Sequence, residues 1–112
     1  MKKAPITTHI LQLDTGRPAA GVTVSLYSAT SHTALASATT DADGRIMQWE
    51  SEFAISVGHY RLQFAVGNWY AQQKLASFYP EINISFQVSD AQEHYHVPLL
   101  LNAFGYSTYR GS

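Results

Sequence analysis

The chain has 112 residues, 46% of them apolar and only 13% charged, with a net charge of −1 and no cysteine. It has no cationic block beyond Lys2-Lys3, which excludes a nucleic-acid binder, and the lack of cysteine excludes disulfides, a thiolate nucleophile and a Cys-ligated zinc. Soluble domains carry about 25% charged residues, so a surface this poor in charge is expected to be covered in part by other subunits, whose interfaces are charge-depleted at their centres.

From the N-terminus, Met1 to His9 contains no apolar core of a secretory signal, and no stretch approaches transmembrane length. Cytoplasm is the expected compartment, with the periplasm open if a signal peptide has been removed. Ile6 to Leu13 reads as a first strand, with Ile6, Thr8 and Ile10 on one face and Thr7, His9 and Leu11 on the other. A turn at Gly16-Arg17-Pro18 precedes the alternation of Val22, Val24 and Leu26. Leu35 to Thr40 is the next strand. Asp41-Ala42-Asp43-Gly44 reads as a hairpin turn, so that Arg45 opens the strand after it.

Glu50 and Glu52 sit in a polar connection and are expected to be solvated. After a turn at Val57-Gly58-His59, the residues Tyr60, Leu62, Phe64 and Val66 alternate with Arg61, Gln63 and Ala65. The good helix formers of Asn68 to Ala76 predict one short helix, with Ala71, Leu75 and Phe78 on its inner face and its end at Phe78-Tyr79-Pro80. Ile82 to Val88, His94 to Leu101 and Gly105 to Gly111 complete the strands. About eight short strands at this spacing predict an all-β antiparallel sandwich of two sheets with one short helix, a single domain spanning 1–112.

Candidate chemistry begins at His94-Tyr95-His96. Residues two apart on a strand share a face, so both imidazoles point with Pro98 and Leu100, opposite Tyr95, Val97, Leu99 and Leu101. Histidines at this spacing can ligate zinc, but a closed site needs further ligands and no cysteine supplies one. A neutral imidazole acting as a base near pH 7 fits better; a plain surface position is the bland alternative for either ring. His9 lies within the first strand, where a lone histidine is commonly structural. Arg45 is an ordinary solvated arginine unless folding brings it to the histidines, where it would form an oxyanion site. No phosphate loop, G-x-S-x-G elbow or carboxylate pair is present. The chain ends in Tyr106-Ser107-Thr108-Tyr109-Arg110-Gly111-Ser112 after an apolar run, so this ending is expected to be built into a strand and a site rather than frayed.

Six segments together carry a resemblance: Thr8-His9-Ile10-Leu11, Gly16-Arg17-Pro18-Ala19-Ala20-Gly21-Val22, Thr40-Asp41-Ala42-Asp43-Gly44-Arg45, Ser77-Phe78-Tyr79-Pro80-Glu81, His94-Tyr95-His96-Val97-Pro98-Leu99-Leu100 and the Tyr-Arg-Gly-Ser ending. In order and spacing they resemble the transthyretin-related proteins, and the ending is similar to that of the enzymatic branch, the 5-hydroxyisourate hydrolases. Two departures from the usual pattern are Gln12 and Asn102-Ala103-Phe104.

The resemblance implies a transthyretin-like sandwich that assembles as a homotetramer, a dimer of dimers with active sites along a central channel. It implies hydrolysis of a small-molecule substrate, 5-hydroxyisourate, with no metal, no cofactor, and no nucleic-acid or membrane partner. His9, Arg45, His96 and Ser112 are the catalytic residues it implies, and Tyr109 and Arg110 shape the substrate wall. His94 matches a position that the family does not usually treat as catalytic; strand parity puts it on the face of His96, as a substrate-binding candidate behind that ring. Which histidine is the base stays open.

Overall fold

The computed structural model describes residues 3–112; Met1 and Lys2, part of the N-terminal reading above, lie outside the described residues. Alternation of apolar and polar residues produces two stacked sheets. The first is built on β1 (Ile6–Gln12), β8 (Tyr95–Asn102) and β9 (Gly105–Thr108), with the two-residue strands β2 (Arg17–Pro18) and β5 (Arg45–Ile46) sharing the free edge of β1. The second runs in the order β4 (Ala36–Thr39), β3 (Thr23–Ser28), β6 (Gly58–Phe64), β7 (Ile82–Val88). Ile10, Leu99 and Leu101 from the first sheet and Val24, Leu26, Leu62 and Phe64 from the second are fully buried between them. Among the described residues, no helix is long and apolar enough to cross a membrane.

Among the described residues, the strands pair antiparallel with one exception. β1 runs parallel to β8, with Ile6 beside Tyr95 and Gln12 beside Leu101 at the two ends of the pairing. Parallel strands tend to be covered on both faces, and β8 follows this: Val97, Pro98 and Leu99 are all buried. Thr8, itself buried, donates its hydroxyl to the Val97 carbonyl at 2.6 Å and ties the two strands together from the core side.

Three local expectations are corrected. Arg17 and Pro18 are not only a turn; they pair with Gln12 and Leu11 as an edge strand. The helix, α1, spans Val66–Gln72 rather than Asn68–Ala76. Its buried face is Val66, Trp69 and Tyr70, whereas Ala71, Leu75 and Phe78 are exposed. Burial of Val66 and the larger rings outweighs the higher helix propensity of Gln73 to Ala76. The Trp69 indole donates to the Ala20 carbonyl at 2.7 Å, and the Tyr70 hydroxyl donates to Asp14 at 2.8 Å. Lys74, with a φ of 60°, turns the chain out of the helix.

The third correction concerns Asp41 to Gly44. This turn does not join two neighbouring strands. It carries the chain from β4 in one sheet to β5 in the other, where Arg45 pairs with His9. The Asp41 carboxylate accepts the backbone N–H groups of Asp43 at 2.9 Å and Arg45 at 3.0 Å, and the Gly44 N–H donates to the Asp41 carbonyl at 2.9 Å. Gly44 has a φ of 74°, and a Cβ there would lie 2.6 Å from the Ile10 carbonyl oxygen. Gly44→Ala is therefore expected to lower stability by about 1–3 kcal/mol, from a strained backbone and a clash with fixed main chain. An unchanged denaturation midpoint would contradict this account of the crossing.

Candidate active site

The parallel pairing decides which side chains meet. It sets Thr7 beside His96 and His9 beside Pro98, while β5 sets Arg45 beside His9 from the other edge. Neighbours in register point to the same side of a sheet. Thr7 and His9 of β1, Arg45 of β5, and His96 and Pro98 of β8 therefore share the face turned away from the core. His94, one residue before β8, continues this face by alternation.

The segment after β9 completes it. Leu99 pairs with Thr108, and the same register continues to an isolated bridge between His96 and Gly111, with the Gly111 N–H donating to the His96 carbonyl at 2.8 Å. A Cβ on Gly111 would lie 2.5 Å from Cδ2 of His96 and 3.1 Å from Cγ of Pro98. Only a residue without a side chain lets the strand lie this close to the imidazole.

Thr7 was given no role in the sequence reading. Its Oγ1 lies 2.9 Å from Nε2 of His94 and 2.8 Å from Nδ1 of His96, so one hydroxyl links both rings. Thr7 is fully buried, although it stands on the outward face, because the two imidazoles cover it. Its parity with His9 was readable, but its partners depended on which strand lies next to β1.

Burial is the main force on all three histidines, and it lowers each pKa from the ordinary 6.5. For His9 the Arg45 guanidinium adds to the lowering, against a hydrogen bond to the Asp43 backbone and the charges of Asp41 and Asp43. For His96 the lowering is reinforced by Arg45, then His9, His94 and Lys3. For His94 it is reinforced by Lys3 and, more weakly, Arg110, and opposed by a backbone hydrogen bond at Ala4. At neutral pH the face carries uncharged imidazoles beside a fixed cation. It can accept a proton from water and offset negative charge.

The remaining candidates divide. Gly111 lies against the His96 ring, and Tyr109 falls by register opposite Pro98, on the imidazole face and exposed. Ser112 is exposed just beyond Gly111. Arg110 is not brought to the cluster. Its guanidinium lies over the Tyr95 ring, 4.5 Å from the centroid, and donates to Glu93 at 2.9 Å and to the His94 carbonyl at 3.1 Å. Among the described residues, no group of three or more histidines and carboxylates could hold a metal ion, and His94 and His96 converge on a hydroxyl instead.

The chain matches the HIUase/Transthyretin family over residues 6–111. It is 47% identical over 109 residues to the 5-hydroxyisourate hydrolase of Salmonella typhimurium, covering 96% of this chain and 80% of that protein. The solved structure of Klebsiella pneumoniae 5-hydroxyisourate hydrolase is similar at a TM-score of 0.84 and 40% identity, with 96% of this chain and 98% of that one covered. Sea bream transthyretin in complex with thyroxine is similar at a TM-score of 0.83 and 28% identity, with 96% and 95% covered. Fold, register and sequence agree, and the chain belongs to the HIUase/Transthyretin family.

Proposed function

We propose that residues 1–112 form one hydrolase domain that opens the six-membered ring of 5-hydroxyisourate at its N1–C6 amide bond, giving 2-oxo-4-hydroxy-4-carboxy-5-ureidoimidazoline. The observation that carries this reading is the meeting of His9, Arg45 and His96 on one polar sheet face. The kinship with 5-hydroxyisourate hydrolases selects the substrate. A thyroxine carrier like sea bream transthyretin is the rival use of this fold. A hydrophobic ligand would favour apolar lining, and Thr7, His9, Arg45 and His96 make this face polar.

Water is a poor nucleophile, so a base takes its proton as oxygen attacks C6. A neutral histidine serves, and such assistance typically contributes about 10²–10⁴-fold. The carbonyl oxygen becomes an oxyanion, which the Arg45 guanidinium offsets; one well-placed donor is typically worth ~3–4 kcal/mol. The C6–N1 bond then breaks, the protonated histidine returns its proton to N1, and the new carboxylic acid ionises. His9 and His96 share these transfers. Ser112 and Tyr109 border the substrate. Arg110, turned to Tyr95 and Glu93, serves by anchoring the strand that carries them.

The face is open on the single chain, since His9 and His96 are half-exposed and Arg45 is exposed. Shielding the reaction from bulk water needs a cover. A second copy of the same chain supplies it in a homotetramer arranged as a dimer of dimers, consistent with exposed Phe78 and Phe104 on a surface poor in charge.

Freshly prepared 5-hydroxyisourate should lose its ultraviolet absorbance far faster with the protein than without it. His96→Ala is expected to lower kcat by at least about 100-fold with the assembly intact; near-normal turnover would remove His96 from the chemistry. A lowered histidine pKa keeps the base neutral further into acid. The midpoint of the acid limb of kcat/KM should therefore lie below 6.5, and a midpoint at or above 6.5 would contradict the burial of the base. Gly111→Ala is expected to displace the His96 ring and cost about 10–100-fold in kcat while the denaturation midpoint barely moves. Full activity in that variant would show that the close approach is not needed.

A further inference from the structure

A hydroxyl between two imidazoles has a direction. Threonine carries one O–H proton, so Thr7 donates to only one of the two ring nitrogens it faces. The His94 ring also hydrogen-bonds the Ala4 backbone in a way that favours its protonated form, which requires a carbonyl acceptor. Nε2 of His94 is already engaged by Thr7, so Nδ1 is the nitrogen left to carry the proton toward Ala4. A neutral His94 then presents a lone pair at Nε2, and Thr7 must donate to it. The Thr7 oxygen is left to accept, and its other partner, Nδ1 of His96, must carry a hydrogen. A neutral imidazole protonated at Nδ1 has its lone pair at Nε2.

We infer that Thr7 is a positioning residue that sets the tautomer of His96, so that Nε2 holds the lone pair that takes the proton from attacking water. The chain of bonds runs from His96 through Thr7 and His94 to the Ala4 carbonyl. The inference rests on the hydrolytic reading of this face. It gives His96 the role of base, because the buried Thr7 hydroxyl engages Nδ1 and leaves Nε2 to meet the water, while His9 is held by the Asp43 backbone. When Nε2 of His96 gains a proton, the imidazolium keeps its Nδ1–H bond to Thr7. The positive charge can pass to His94 as the Nδ1 proton moves to Thr7 and the Thr7 proton moves to Nε2 of His94; no atom is gained or lost. Charged and titratable groups acting on this pair are Lys3 before β1, His9 on β1, Arg45 on β5 and Arg110 after β9.

The test combines spectroscopy with kinetics. Imidazole ¹⁵N NMR of the assembled wild-type protein above pH 7, with the His96 signals assigned by their loss in His96→Gln, should show His96 protonated at Nδ1. Free histidine favours the other tautomer, so an Nε2–H signal would overturn the inference whether or not the protein turns over 5-hydroxyisourate. Thr7→Val keeps the shape and removes the hydroxyl. It is expected to move His96 toward the Nε2–H form, to lower kcat by about tenfold or more with KM changed less than about threefold, and to shift the acid limb of kcat to lower pH, because the imidazolium loses its acceptor. Thr7→Ser keeps the hydroxyl and should hold kcat within about threefold and the wild-type tautomer. A Thr7→Val enzyme as active as wild type, or a Thr7→Ser enzyme as impaired as Thr7→Val, would reduce Thr7 to a packing residue. Absence of 5-hydroxyisourate hydrolysis by the wild type itself would remove the functional reading and leave the tautomer result standing.

Discussion

Parallel pairing of β1 with β8 is the constraint on which the site depends. Thr7 and His96 are 89 residues apart in sequence, yet their side chains meet at 2.8 Å because these strands are neighbours in register. A slip of one residue would turn His9 and Thr7 into the core and Ile6, Thr8 and Ile10 out to solvent. The register is held from the core side by full burial of Ile6, Ile10, Leu99 and Leu101 and by the Thr8 bond to Val97. Closing so long a loop costs only slowly more entropy than closing a short one, so burial of two continuous apolar strands can carry the pairing.

The second element of the design is how a cation is kept beside bases without neutralising either. Arg45 reaches His9 because the Asp41 turn crosses between sheets, and Asp41 is occupied with the backbone of that turn. Its charge reaches His9 only as a weak opposing influence, behind burial and Arg45. For His96, burial, Arg45, His9, His94 and Lys3 all push the pKa down. Such a face favours neutral bases and incoming negative charge together. Developing charge on a carbonyl oxygen is what it is suited to receive.

Much of this was legible in the sequence, and the limits were physical. Alternation identified the β3, β6, β7 and β8 strands and the shared face of His94 and His96, because period two reports parity directly. Parity does not report which strand lies alongside. For that reason the meeting of His9, Arg45 and His96 came from resemblance rather than spacing, and Thr7 was passed over although it shares a face with His9. The helix shifted toward Val66 because tertiary burial of Trp69 and Tyr70 overrode local propensity. Arg110 looked like a wall residue by its place in the Tyr-Arg-Gly-Ser ending. The register of Leu99 with Thr108 and His96 with Gly111 instead puts it opposite Val97, on the other side of the strand.

That same parity explains the composition of the ending. Tyr109 and Gly111 face the imidazoles, and Arg110 faces away between them. An exposed ion pair such as Arg110–Glu93 contributes little by itself, and both side chains are about half exposed. Stacking on Tyr95 and a bond to the His94 carbonyl add direction to it. Tyr95 is a firm platform: it is buried, and its hydroxyl accepts from the Ser89 and Asp90 N–H groups while donating to the Asp90 carbonyl. Arg110 therefore holds the strand from behind, and Gly111 yields the space that His96 occupies.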